Sequence, residues 1–500
     1  MLYSWNKGFL YEYRAFAGID VSNHIAQGIN IYKTNAIASA NQPLVYLYPI
    51  IQPLLAAMIS SLPFISTIDA HYIIAFGSLF GMILLFAKIT RRNQIQLWLI
   101  VAGEILLATI SSSSRFYPGA LALTLSFFIF DNIDLNLRFS SLLNALLLYL
   151  LFFTKQYFIV YIIPIFVYYI IQKEFKKSCS FLLWIVFFGI IALIITKIFF
   201  PNYFLNTIFI TKYSTGISIK HLISQLIVMW QQYGLIICFV ILFCVAYWKL
   251  NDSKKDVGHL VLFCMITFVC NLGMSLYFST NDGARYTYIQ ELCLPSLTLL
   301  LVLLINRVLF TEPLFNIHGS NEVYRTLLIW LVPITLAFSL FQIGLWRKES
   351  RVIDDQLEGI NEIRKIVQIA TAMGESVFLS PDVAHLSMEY NNANIYFDNG
   401  QLEFATSDRL KNEGILGKLY YQKALEETVY VDNFVDKINR KIDDQQIGVI
   451  VLSDNEPLLK RESVEKSYEL LDEVTVRSCV NSYNDQIWIR KGLNIEGSLK

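Results

Sequence analysis

Charge is scarce in this 500-residue sequence: Lys, Arg, Asp and Glu make up 16% of it and cancel to a formal net charge of zero. Soluble domains carry roughly 25% charged residues, so the shortfall argues against an ordinary soluble enzyme. The missing basic excess removes the electrostatic footprint that nucleic-acid binding needs, and no nucleic acid is expected as a partner. Cysteine is sparse too, at seven residues. Cys238, Cys244, Cys264, Cys270 and Cys293 lie inside apolar runs, where cysteine serves as a small hydrophobe. Their spacing forms neither a disulfide framework nor a zinc-type cluster. No cofactor is expected; a divalent metal stays open, but nothing supports one. The opening "MLYSWNKGFLYEYRAFAG" lacks the apolar core of a signal peptide.

What the sequence does have is hydrophobicity. Apolar residues make up 55% and aromatics 14%, with a mean hydropathy of +0.48. This composition is that of a polytopic membrane protein. Candidate spans of about 17–25 residues fall near 70–89, 96–113, 116–131, 138–154, 156–172, 178–200, 231–248, 257–278, 287–310 and 325–346. An eleventh run, 44–64, is broken by Pro49, Pro53 and Pro63.

Basic clusters orient these spans, because Lys and Arg concentrate on the cytoplasmic side. Lys88, Arg91 and Arg92 form one cluster, Lys173, Lys176 and Lys177 a second, and Lys249, Lys254 and Lys255 a third. All three share a face only if "LLYLLFFTKQYFIVYIIPIF" (147–166) is two spans joined by an outer turn at Lys155–Gln156. The same parity puts 111–119, 201–222, 279–288 and everything after the last span outside. With 1–43 also outside, 44–64 is expected to lie at the interface or re-enter rather than cross, which its prolines permit; a true span with an inside N-terminus is the alternative. A chain that begins outside is expected to have a helix ahead of it. Its lack leaves a fragment, a late start codon or N-tail translocation open.

The expected fold is therefore mainly α: a transmembrane helical bundle with a small C-terminal α/β extracytoplasmic domain. Residues 1–43 make an outer first loop with a juxtamembrane helix, 44–348 the membrane domain of about ten spans plus one interfacial or re-entrant helix, and 349–500 the soluble domain. Within that last part, 376–380, 394–397, 447–453, 474–479 and 486–491 read as short strands, and 354–373 as a helix with Leu357, Ile360, Ile363, Ile366 and Ile369 on one stripe. It has no Gly-rich phosphate loop and no metal-spaced His/Cys set, so no chemistry of its own is expected there.

Several polar residues stand where a membrane protein rarely spends them. Asp20 precedes an amphipathic stretch, 21–29. It reads either as a helix N-cap or as a carboxylate placed at the lipid boundary to take a proton from a hydroxyl, and the two are compatible. Arg115 reads as a boundary arginine snorkelling to head groups. Lys155 has the same bland reading, but its place between two unbroken aromatic runs is costly. Asp282, Arg285, Tyr286, Tyr288 and Glu291 collect at a span entrance, where Asp282 and Arg285 read as a simple pair. His221 alone is more often structural. Glu104, inside "LIVAGEILLATI", reads as a structural acid bonded to a neighbour such as Asn144.

The string Asp20, Gly28, Tyr32, Pro43, Tyr46, Tyr48, Pro49 resembles the first outer loop of the GT-C superfamily of polyprenyl-phosphate-sugar-dependent glycosyltransferases, in which an acid opens the loop and a Tyr/Pro-rich segment leads into the membrane. "SSSSRFYPGALAL" resembles the second outer loop, matching at Arg115, Pro118 and Leu121, with Gly119 where an acid is usual. The resemblance implies that Asp20 is the catalytic base. It implies that Lys155, Arg285 and Arg115 bind the donor phosphate, and that Tyr117, Gln156, Asp282, Tyr286 and His221 line the cavity. The implied partners are a polyprenyl-phosphate-sugar donor, the lipid bilayer, and a glycan, lipid or protein acceptor. The implied reaction is inverting transfer of a monosaccharide to a cell-envelope acceptor, in a multi-pass cell-membrane protein whose active site and C-terminal domain face the extracytoplasmic side. A surface-polysaccharide polymerase or ligase, a lipid-linked sugar flippase or transporter, and a non-catalytic relative are the alternatives. The transporter is disfavoured by the lack of an internal repeat and by Glu104 being nearly the only acid within the spans.

Overall fold

Apolar runs without interior helix breakers become helices, and the breaks fall where a proline or a left-handed residue forces them. The computed structural model describes residues 49–65, 67–110, 119–199, 258–278, 287–308, 353–380, 395–397, 434–453, 461–477 and 482–495, together with scattered helical positions between 203 and 245 and residues 383 and 386. The apolar part contains α1 (Ile51–Ser60), α2 (Thr67–Arg92), α3 (Leu97–Ile110), α4 (Gly119–Leu135), α5 (Ser140–Thr154), a 3₁₀ helix (Gln156–Tyr161), α6 (Ile162–Ile171), α7 (Phe175–Phe199), α8 (His259–Phe278) and α9 (Thr287–Asn306). Among the described residues, Asp69–Arg92 within α2 and the whole of α7 are long and apolar enough to cross a membrane; the remaining apolar helices are shorter. The run expected near 325–346 lies outside the described residues, as does much of 231–248.

At ten residues α1 is about 15 Å long, half the ~30 Å thickness of a hydrocarbon core. The run 156–172 is not one regular helix. Pro164 has no N–H to offer the carbonyl of Val160, four residues back. The chain therefore starts in the tighter 3₁₀ form and becomes α-helical only at Ile162.

Lys155 is a true reversal point. It is extended (φ −155°, ψ 107°) between α5 and the 3₁₀ helix. Beyond it, Tyr169 of α6 meets Asn144 at 3.1 Å and Ser140 at 3.2 Å, both on α5. A continuous helix would separate Asn144 from Tyr169 by about 37 Å. Asn144 also accepts from Asn132 of α4 at 2.7 Å. Its amide is thus used between α4, α5 and α6, in contrast to the expectation that it serves Glu104.

Ion pairs and turns collect at the opposite end from Lys155. Lys88 and Arg92 of α2 bond Asp131 of α4 at 2.9 and 2.6 Å, and Arg92 also takes Asp134 at 2.7 Å. Lys177 donates to Asn136, Ser141 meets Ser180 at 3.2 Å, Tyr168 meets His259 at 3.4 Å, and the Gln96 N–H donates to Asn306 at 3.1 Å. These contacts place the end of α2, the start of α3, the end of α4, the start of α5, the end of α6, the starts of α7 and α8, and the end of α9 together. Two of the turns here are Schellman closures on a left-handed residue: Gln94 (φ 54°), with Ile95 N–H on the Thr90 carbonyl at 3.1 Å, and Lys173 (φ 58°), with Glu174 N–H on the Tyr169 carbonyl at 2.8 Å. The basic clusters 88–92 and 173–177 therefore share one end of the helices, and Lys155 lies at the other. Between the two ends, Phe86, Phe127, Phe130, Tyr161 and Phe263 form a dry aromatic core, with Phe130 and Phe263 edge-to-face at 5.2 Å.

The described residues divide between two compact units, one holding 72–195 and 258–308, the other 49–71, 196–203 and 353–495. In the second, β1 (Val377–Leu379), β2 (Ile395–Phe397), β3 (Val449–Ser453), β4 (Tyr468–Arg477) and β5 (Ser482–Arg490) form one sheet in the order β2-β1-β3-β5-β4. β1 runs parallel to β2 and β3, and β5 runs antiparallel to β3 and β4. Side chains alternate between the two faces, as the period of two requires. Val377, Leu379, Val449 and Val451 pack under α10 (Ile353–Ala372), whereas Phe378, Ile450 and Leu452 pack under α11 (residues 434–443) with Val464 of α12 (Arg461–Ser467). Each strand expected from the sequence is present; β4 and β5 start earlier, at Tyr468 and Ser482. α10 closes on Gly374 (φ 78°), with Glu375 N–H on the Ala370 carbonyl at 3.0 Å.

Gly103 sets the spacing of α3 against α2 and α9: a Cβ there would stand 2.5 Å from the Phe86 ring and 3.1 Å from Val302. Gly103→Ala is expected to lower stability by about 1–3 kcal/mol through overpacking, read as a lower unfolding temperature in detergent. Gly77→Ala, where a Cβ meets nothing within 4 Å, is expected to show no such loss.

Candidate functional site

The site is built from one reversal and one proline. Thr154 ends α5 with its hydroxyl on the Leu150 carbonyl at 2.7 Å, and Lys155 then leaves the helix. Its ammonium reaches α9 and lies 2.7 Å from the Glu291 carboxylate. Tyr157, two residues along the 3₁₀ helix, donates its phenol to the same carboxylate, and its ring lies 5.3 Å beneath the Lys155 ammonium. The Lys155 side chain is 13% exposed and that of Glu291 0%.

Glu291 is fixed by local backbone chemistry. Pro295, inside α9, removes the N–H that would bond the Glu291 carbonyl. The next carbonyl, Leu292, takes the Asn271 amide of α8 at 2.8 Å and the Tyr161 hydroxyl at 3.4 Å. Neighbouring side chains thus satisfy backbone groups around a proline kink, which is how such a kink is tolerated in an apolar setting. Asn271, Tyr161 and Pro295 together hold the first turns of α9 against α8 and the 3₁₀ helix, and so aim Glu291 at Lys155.

Removing one partner of a buried ion pair strands the other charge, at about 3–5 kcal/mol. The pair therefore holds α5 and α9 together across 136 residues of sequence. It also concentrates one positive and one negative group, with a phenol, at the end of the helices remote from the basic clusters.

Of the residues proposed from sequence, Lys155 lies in this cluster and Gln156 follows it, half-buried, at the start of the 3₁₀ helix. Asp20, Arg115, Tyr117, His221, Asp282, Arg285 and Tyr286 lie outside the described residues. Glu291 stood among the polar residues collected at that span entrance but had no role assigned, and Tyr157 was not singled out. The signal for Glu291 was present: an acid in the opening turns of an apolar run with a proline four residues on. The expectation that Glu104 is nearly the only acid within the spans is corrected, because Glu291 and Asp131 are both buried within apolar helices.

The chain is similar in structure to ArnT from Cupriavidus metallidurans bound to undecaprenyl phosphate, with a TM-score of 0.55 over 94% of this chain and 93% of that chain, at 11% sequence identity. The apo state of the same protein matches with a TM-score of 0.54, the same coverage and the same identity. No family profile matches the sequence, and no curated protein does.

Lys155→Met is expected to lower stability by about 3–5 kcal/mol, because Glu291 stays buried without that cation. Adding Glu291→Gln to it is expected to restore most of the loss, and a double-mutant cycle in detergent measures the coupling.

Proposed function

We propose that this chain is a multi-pass membrane glycosyltransferase that moves a monosaccharide from a polyprenyl-phosphate donor to a cell-envelope acceptor. The observation that carries this reading is the likeness of fold over 94% of the chain to a protein solved with undecaprenyl phosphate bound. The placement of Lys155 supports it: a cation within the apolar helices, at the end away from the basic clusters, and therefore on the extracytoplasmic side by the positive-inside rule.

In this reading the donor's lipid tail lies among the helices and its sugar in an outer cavity. Asp20 takes the proton of the acceptor hydroxyl. The acceptor oxygen attacks the anomeric carbon from the face opposite the phosphate, a new C–O bond forms, and the bond to the phosphate oxygen breaks with both electrons staying on that oxygen. The anomeric configuration inverts. The products are the glycosylated acceptor, a polyprenyl phosphate carrying one more negative charge, and a proton on Asp20 that passes to solvent. Lys155, Arg285 and Arg115 stabilise the phosphate as it leaves. Tyr117, Gln156, Asp282, Tyr286 and His221 line the cavity.

Two outcomes test this. Asp20→Ala, expressed at normal abundance, is expected to abolish the added sugar in the host's envelope glycans by mass spectrometry; an unchanged profile removes Asp20 from the mechanism. Cysteines introduced at positions 112 and 253 are expected to label from opposite sides of the membrane, and labelling of both from one side overturns the orientation.

A further inference from the structure

Glu291 poses a problem for any phosphate that comes to Lys155. The carboxylate has 0% exposure and already holds the ammonium at 2.7 Å, with the Tyr157 phenol bonded to it as well. Lys155 and Glu291 together carry no net charge, so whatever Arg115 and Arg285 add to the site, the attraction of Lys155 for an incoming phosphate is largely balanced by a fixed anion close behind it. The balance weighs differently on the two lipids that the reaction handles. The donor is a phosphodiester and carries one negative charge. The product is a phosphomonoester, whose second ionisation lies near pH ~6 and which carries about −1.5 to −2 at neutral pH.

We infer that Glu291 is a positioning residue that sets the charge of the phosphate site, so that it accepts a monoanionic lipid phosphodiester and disfavours the more highly charged lipid phosphomonoester left after transfer. This rests on the proposed role of Lys155 as a donor-phosphate ligand. Glu291 does this through Lys155. With donor bound, the ammonium is shared between carboxylate and phosphate, and one added negative charge is tolerated. When the glycosidic bond to phosphate breaks, the second negative charge develops within a few ångströms of a buried carboxylate that has no route to water, and repulsion pushes the spent lipid out. Tyr157 keeps the carboxylate in place throughout, because its phenol lies on the same short 3₁₀ helix that presents Lys155. The fixed acid costs some ground-state affinity and speeds release of the spent lipid, a step that often limits turnover in enzymes with tightly held products.

The test compares two probes, undecaprenyl phosphate and its methyl phosphodiester, on the full chain in detergent at pH 8, with affinity read by native mass spectrometry. Wild type is expected to bind the diester more tightly than the monoester. Glu291→Gln keeps the shape of the side chain and its bond to Tyr157. It is expected to tighten monoester binding by about tenfold or more, the scale of one unit-charge interaction at protein dielectric, and to tighten the diester less, reversing the preference. A purely structural role for Glu291 weakens both probes together, and that result overturns the inference, as does an unchanged ratio. If Glu291→Gln does not fold, the wild-type ratio decides alone: equal affinities, or a preference for the monoester, overturn it. Lys155→Gln separates the two readings. If that variant folds and binds both probes as wild type does, the phosphate is not at Lys155 and the proposed function loses its donor site. If it loses both while Glu291→Gln leaves the ratio unchanged, the donor site stands and only the charge-setting role of Glu291 falls.

Discussion

A carboxylate with no access to water can stay charged only if something positive is brought to it, and much of the apolar unit's construction serves to bring Lys155 to Glu291. The reversal after Thr154 releases the lysine from helix α5, the 3₁₀ segment turns Tyr157 toward the same acid, and Pro295 with Asn271 fixes the start of α9. Each of these is a local breach of regular helix geometry. Each is offset by a hydrogen bond or an ion pair with a helix distant in sequence. The arrangement gives the helices two unlike ends.

At one end, Lys88 and Arg92 are matched by Asp131 and Asp134, and tight turns close on left-handed residues. Those bonds fasten neighbouring helices where the chain turns, and the positive-inside rule does not suffer from them, because it counts Lys and Arg rather than net charge. At the other end, among the described residues, Lys155 and Glu291 pair in a nearly dry site. Salt bridges near water contribute little. Stranding a buried acid is costly, for Asp131 as for Glu291, and the dry setting of Lys155 and Glu291 makes their electrostatic interaction strong.

Much of this was legible in the sequence and some was not. Helix positions followed from hydrophobic runs, and the reversal at Lys155 followed from counting basic clusters, a constraint that acts on the whole chain rather than on any one segment. The short strands were placed from their apolar segments, whereas the two faces to which Val377 and Leu379 on one side and Phe378 on the other belong are set by the packing of the sheet. The 3₁₀ start of 156–172 was hidden because hydropathy does not see a missing N–H; the position of Pro164 held that information. The pairing of Lys155 with Glu291 was hidden for a deeper reason. Nothing local distinguishes a lysine that snorkels from one that meets an acid 136 residues away, and only the packing of α5, the 3₁₀ helix and α9 decides it. Asn144 shows the same limit: its amide suited any polar neighbour, and Asn132 and Tyr169 are the ones that packing supplies.

The central claim is that the cation held by Glu291 is the one a lipid phosphate uses. A cryo-electron microscopy reconstruction of the full chain with undecaprenyl phosphate in a nanodisc tests it most directly. The account predicts phosphate density within hydrogen-bonding reach of the Lys155 ammonium, at the membrane face remote from Lys88 and Lys173. Phosphate density at that opposite face, or on the same face but out of reach of Lys155 with its pair to Glu291 undisturbed, contradicts it.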